Sequence, residues 1–153
     1  MSKIHYFQRY STVENAVTNN TLQLLARIYD YSASQASKFL TEITGESIDI
    51  GIEINQQERA KESVPDGAVI QRSFKILIEA KVDAGVDVGQ LERHAGGFSN
   101  EAQKILILLT REPIGKDKEE DISRTVSKKN PGVVFKSVTY ERICKALARI
   151  IHD

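Results

Sequence analysis

Hydrophobic positions along the chain change period several times, and each change marks an element. Val13, Val17, Leu24 and Ile28 share one helical face and predict a helix over 11–30, with Asn20 and Thr21 interrupting the stripe. Ser11 with Glu14 three residues on has the arrangement of a capping box at its start. Ala36, Phe39, Leu40 and Ile43 predict a second helix over 34–43, which Gly45 stops. Over 47–55 the period becomes two. Ile48, Ile50, Ile52 and Ile54 alternate with Asp49, Gly51, Glu53 and Asn55, the pattern of a strand with one buried face.

After a polar connection, 67–71 and 74–82 read as two strands with a turn near Arg72 and Ser73. The second is nearly continuous in apolar residues (Phe74, Ile76, Leu77, Ile78), as in a strand covered on both faces. Val88, Leu91 and Ala95 predict a helix over 86–98, ended by Gly96-Gly97. A buried strand follows over 104–110, then a polar loop over 111–120, a short helix over 120–129, a strand over 132–138 and an amphipathic helix over 141–152. The expected fold is an α/β domain with a central mixed sheet flanked by helices. A single domain over 1–153 is expected, with N-terminal helices at 11–43, a core at 47–110 and a C-terminal strand and helix at 132–152.

Composition narrows the class. Hydrophobic residues make up 41% of the 153 and charged residues 27%, which excludes a disordered or low-complexity chain. The single Cys144 excludes an internal disulfide and a thiolate zinc cluster, and fits a reducing, cytoplasmic compartment. No apolar stretch near the start resembles a secretory signal, and the longest apolar run, 105–109, is far too short for a membrane span. Net charge is zero, but residues 1–100 carry −3 and residues 101–153 carry +3. A uniformly cationic nucleic-acid coat is excluded, while a local basic surface beside an acidic pocket is permitted.

Two short pieces carry the candidate chemistry: Pro65-Asp66-Gly67 at the start of one strand and Glu79-Ala80-Lys81 near the end of the next. Alternation along a strand puts Glu79 and Lys81 on one side and Ala80 on the other, with the Ala80 carbonyl still near the first side. If the two strands pair as a hairpin, Asp66 and Glu79 become neighbours, and two ionised carboxylates side by side favour a cation between them. Oxygen donors suit Mg²⁺ or Mn²⁺. A lysine two positions on can orient or deprotonate a metal-bound water, which is the equipment for phosphodiester hydrolysis.

Pro65-Asp66, twelve intervening residues and Glu79-Ala80-Lys81 resemble the PD-(D/E)XK nuclease superfamily, whose members include restriction endonucleases and archaeal Holliday-junction resolvases. The resemblance covers about two thirds of the chain, residues 11 to 110, and implies a restriction-endonuclease-like core running helix, three strands, helix, strand. It implies that Asp66, Glu79 and the Ala80 carbonyl ligate Mg²⁺ or Mn²⁺. Lys81 would handle the attacking water, with Glu14 supporting the site as a further metal ligand and Gln90 from the following helix. It further implies a metal-dependent nuclease, with DNA as the expected substrate and a homodimer if both strands are cut. The chain would work alone or beside a partner domain or protein. Two other readings stay open: a structure-selective resolvase or nickase, and a catalytically silent nucleic-acid-binding or scaffold domain on the same fold.

Each residue also has a plainer reading. Asp66 can be a turn residue of Pro-Asp-Gly, Glu14 a capping residue and Gln90 a helix-surface residue. His94, four residues after Gln90, reads as a solvated helix-surface histidine, with contact to substrate or a proton transfer as the alternative. His5 and His152 read as inert. Asp83 and Asp87 read as loop residues rather than holders of a second metal, and Asp49 and Glu53 as solvated strand charges. Cys144 reads as a small core residue. Lys116, Lys118, Lys128 and Lys129 form a basic cluster, either a solubilising surface or a phosphate contact.

Overall fold

The structure is a computed structural model that describes residues 13–51, 53–56, 67–82 and 85–152. Its elements in chain order are α1 (Val13–Tyr31), α2 (Ala33–Thr44), β1 (Glu53–Gln56), β2 (Gly67–Ile70), β3 (Phe74–Lys81), α3 (Val88–Ala95), β4 (Gln103–Thr110), α4 (Lys116–Lys129), β5 (Val133–Thr139) and α5 (Tyr140–His152). The α/β class holds, but among the described residues the strands form two sheets rather than one mixed sheet. β3, β4 and β5 form a parallel three-stranded sheet in that order, and β1 and β2 form a separate antiparallel pair. β2 therefore pairs with β1, through Glu53–Ile70 and Gln56–Gly67. It does not pair with β3, so the expected hairpin between the two motif-bearing strands is not formed by the described residues.

β3–α3–β4–α4–β5 is two successive βαβ units. A sequential strand order with crossovers of one hand puts both connecting helices on one face of the sheet. That is where α3 and α4 lie: Leu91, Ala95, Ile122 and Val126 pack with Leu106, Leu108, Val133 and Phe135. The opposite face is covered by α1, α2 and α5, where Ile28, Phe39, Leu40, Ile43, Ile143, Ala146 and Ile150 pack with Ala80, Ile105, Ile107, Leu109 and Val138. β4 is the middle strand. Its residues Ile105–Leu109 are at most 2% exposed, and alternate side chains feed the two cores. The expectation of a buried strand here holds. No helix among the described residues is long and apolar enough to cross a membrane.

Two boundaries depart from the sequence reading for identifiable reasons. The predicted strand over 47–55 is regular only from Glu53 to Gln56. Ile48 is buried as expected, but its backbone groups are taken by α2: its N–H donates to Thr41 Oγ1 at 3.0 Å and its carbonyl accepts from Ser37 Oγ. Side-chain partners thus replace a ladder. α4 begins at Lys116, inside the predicted loop, because its first turn is entirely polar and shows no apolar stripe.

α2 ends as expected. Ser32 caps its start by accepting from Gln35 N–H at 3.3 Å. Gly45 closes its end with φ 70° and donates its N–H to Thr41 O at 2.9 Å. A Cβ on Gly45 would meet nothing closer than the Lys136 ammonium at 4.0 Å, so space is open and only the left-handed backbone is at stake. Gly45→Ala is therefore expected to cost about 1 kcal/mol, read as a shift in the urea midpoint with an unchanged slope.

Candidate active site

The register of the parallel sheet sets out the site row by row. On the face covered by α3 and α4, Leu77 lies level with Leu106 and Phe135, Glu79 with Leu108 and Ser137, and Lys81 with Thr110 and Thr139. This face opens at the amino end with Lys75, Lys104 and Val133, is apolar in the Leu77 row and turns polar again in its last two rows. These last two rows lie at the carboxyl ends of the strands, where open α/β sheets bind ligands. The connections also deliver the starts of α3, α4 and α5 to this edge, since each helix follows a strand end. Helix starts favour anions. Asp87 caps α3 by accepting from Gln90 N–H at 3.2 Å, and Thr139 Oγ1 accepts from Arg142 N–H at 3.3 Å. Asp87 thus has a structural task as the N-cap of α3.

Glu79 and Lys81 do share a face, and they touch. Lys81 Nζ lies 3.5 Å from Glu79 Oε1, and the two side chains are 18% and 17% exposed. They are not a solvated strand face. Ala80 is buried on the opposite face among the residues of α1, α2 and α5. The other carboxylate oxygen, Oε2, lies 2.9 Å from His94 Nε2. An ionised carboxylate only accepts, so this contact puts the proton of a neutral His94 on Nε2. His94 reaches Glu79 because Leu91 and Ala95 anchor α3 against β4, which leaves the neighbouring Gln90–His94 face of the helix beside β3.

This corrects the reading of His94 as a solvated surface histidine: its side chain is 39% exposed and holds a charged partner. The signal available in sequence was its position four residues after Gln90 and one residue before the buried Ala95. Gln90 lies in the first turn of α3 and is half-buried, and its N–H serves the Asp87 cap. Asp66 and Asp83 lie outside the described residues, as do His5 and Ser11. Glu14 lies within α1, but its side chain and that of Glu53 are likewise outside what the structure describes. Asp49 is exposed. Among the described residues, Glu79 and His94 are the pair of donors here that could hold a cation, and no third His, Cys, Asp or Glu side chain joins them.

Two other expectations are revised. Cys144 is exposed rather than in the core. It follows the buried Ile143 by one residue, and a step of about 100° around the helix carries it off the face formed by Ile143, Ala146 and Ile150. The four lysines of the basic cluster all lie on α4 but at its two ends, Lys116 and Lys118 in the first turn and Lys128 and Lys129 in the last. A 14-residue helix is about 21 Å long, so they are not one patch. The first pair sits at the carboxyl edge with Lys81, and the second at the opposite edge, where Lys129 lies beside Gly96.

Lys75, also on the α3 face of β3, has a structural role. It donates to Gly97 O at 2.8 Å and lies 4.0 Å from Glu101. Backbone N–H groups of Glu101 itself and of Ser99, with Lys75 and Lys104 nearby, hold the Glu101 carboxyl below the usual carboxylate range. No family model, curated protein or solved structure matches this chain.

Proposed function

We propose that the protein is a metal-dependent nuclease that hydrolyses phosphodiester bonds, with DNA as substrate, and that Glu79 and Lys81 belong to its active site. The observation that carries this reading is the contact of Glu79, Lys81 and His94 at the carboxyl end of β3. A carboxylate largely withdrawn from water and paired with two basic groups is costly to retain in a purely structural role. Its location among helix starts suits a phosphate group. The resemblance of Pro65-Asp66 and Glu79-Ala80-Lys81 to the PD-(D/E)XK nucleases adds the substrate class and the metal.

Glu79 fits a divalent cation as an oxygen donor with its face toward the strand ends, and the resemblance would add Asp66 and the Ala80 carbonyl. When bound, such a cation supplies charge neutralisation at phosphate and a more acidic water. The chain's own part is to hold and orient. Lys81 Nζ sits next to Glu79, where a positive charge can face a phosphate oxygen and steady the attacking water. His94 fixes the Glu79 carboxylate from the other side.

Incubation with supercoiled plasmid in Mg²⁺ or Mn²⁺ is expected to give nicked or linear product, abolished by EDTA. The product form separates single-strand from double-strand cutting. An intact plasmid with a cleaved four-way junction would select a structure-selective resolvase. Retention of both substrates uncut in either metal would reject hydrolysis and leave a binding domain.

A further inference from the structure

We infer that His94 is a metal ligand, which makes the cation site a mixed nitrogen–oxygen site that ranks a first-row transition metal such as Zn²⁺ above Mg²⁺. This rests on the metal-dependent reading of the same site, and departs from the oxygen-only donor set that Asp66, Glu79 and a carbonyl would make. His94 Nε2 and Glu79 Oε2 are 2.9 Å apart. Two cis ligands at metal bonds of about 2.1 Å are themselves about 3 Å apart in octahedral geometry. The spacing set by this hydrogen bond is also that of two neighbours in one coordination sphere, so a cation can take the place of the proton with little movement of either atom.

Access permits the same reading. His94 is 39% exposed, so a cation can approach from the solvent side of α3, with water filling the remaining positions. Lys81 lies against the other oxygen, Oε1, at 3.5 Å, which leaves Oε2 as the single oxygen offered toward the imidazole. Binding replaces the Nε2 proton by the cation, and the neutral ring then carries its proton on Nδ1. An imidazole donor raises affinity for Zn²⁺ and its neighbours and does little for Mg²⁺.

The test is calorimetric titration of the full chain with Zn²⁺ and, separately, Mg²⁺, on the wild type, His94→Ala and Glu79→Gln, with far-UV circular dichroism to confirm each fold. His94→Ala is expected to weaken the site's Zn²⁺ binding about tenfold or more, and its Mg²⁺ binding by a clearly smaller factor that reflects only the lost support of Glu79. The second readout is ¹⁵N NMR of the His94 ring, which is expected to change from the Nε2–H to the Nδ1–H pattern as Zn²⁺ is added. Equal Zn²⁺ titrations for wild type and His94→Ala, with Glu79→Gln weaker, would overturn the His94 assignment while leaving a metal at Glu79. Wild-type titrations with both metals matching those of Glu79→Gln would overturn the assignment and the metal-dependent reading together.

Discussion

Glu79→Gln is expected to lower metal-dependent plasmid cleavage by about 10²–10⁴-fold, and Lys81→Ala by a similar factor. Glutamine keeps the shape of the side chain and can still accept a hydrogen bond from His94, so a loss in Glu79→Gln reports the missing charge rather than lost packing. Lys81→Ala removes a cation from beside a carboxylate that is 17% exposed. Glu79 then retains His94 at 2.9 Å, so the charge is not stranded. Thermal unfolding measured beside the cleavage rate separates the two effects. Because the residues touch, the double substitution is expected to lose little more than either single one. Cleavage that survives both changes at the wild-type rate would place the active site elsewhere.

Leu108→Ala is expected to destabilise the protein by about 2–5 kcal/mol, the range for a fully buried leucine in a strand core. For a chain of this length that is a fall in melting temperature of roughly 6–15 °C. Leu108 is 0% exposed and lies level with Glu79 on one side and Ser137 on the other. Its loss therefore opens a cavity directly beside the Glu79 row. Leu106, equally buried, lies one row toward the amino end, beside Leu77 and Phe135. Leu106→Ala is expected to cost comparable stability but less cleavage, measured well below both melting temperatures. Equal losses of activity at equal loss of stability would show that packing around the Glu79 row does not position the carboxylate.

Periodicity made most of the fold legible. α1, α2, α3 and α5 follow apolar stripes, and β4 follows from an apolar run too short for a helix. Gly45 was readable as a stop because a left-handed cap favours glycine. What periodicity does not carry is pairing. The alternating isoleucines over 48–54 imply burial, and Ile48 is buried, but its backbone is bonded to α2 side chains rather than to a strand. Likewise β2 and β3 are adjacent in sequence, yet β2 pairs with β1 and β3 with β4.

The same distinction holds at the site. That Glu79 and Lys81 share a face is local and follows from strand geometry alone. That His94 meets Glu79 is not local, since it depends on how α3 lies across β3. The four lysines of α4 separate for a related reason: their clustering in sequence is undone by the length of the helix that carries them.

The spacing of the parallel strands bears on how the chain finds this arrangement. Phe74 lies opposite Gln103 and Lys104 opposite Val133, a step of 29 residues in both cases. Closing a loop costs entropy that depends on its length, so the two dockings onto β4 carry the same closure cost and chain length sets no order between them. The difference is left to the crossovers, a helix of 8 residues before β4 and one of 14 after it. Short helices gain little stability from their own hydrogen bonds and depend on the surface they cover. The strand bearing Glu79 is thus joined to the rest of the sheet through the less self-sufficient of the two crossovers.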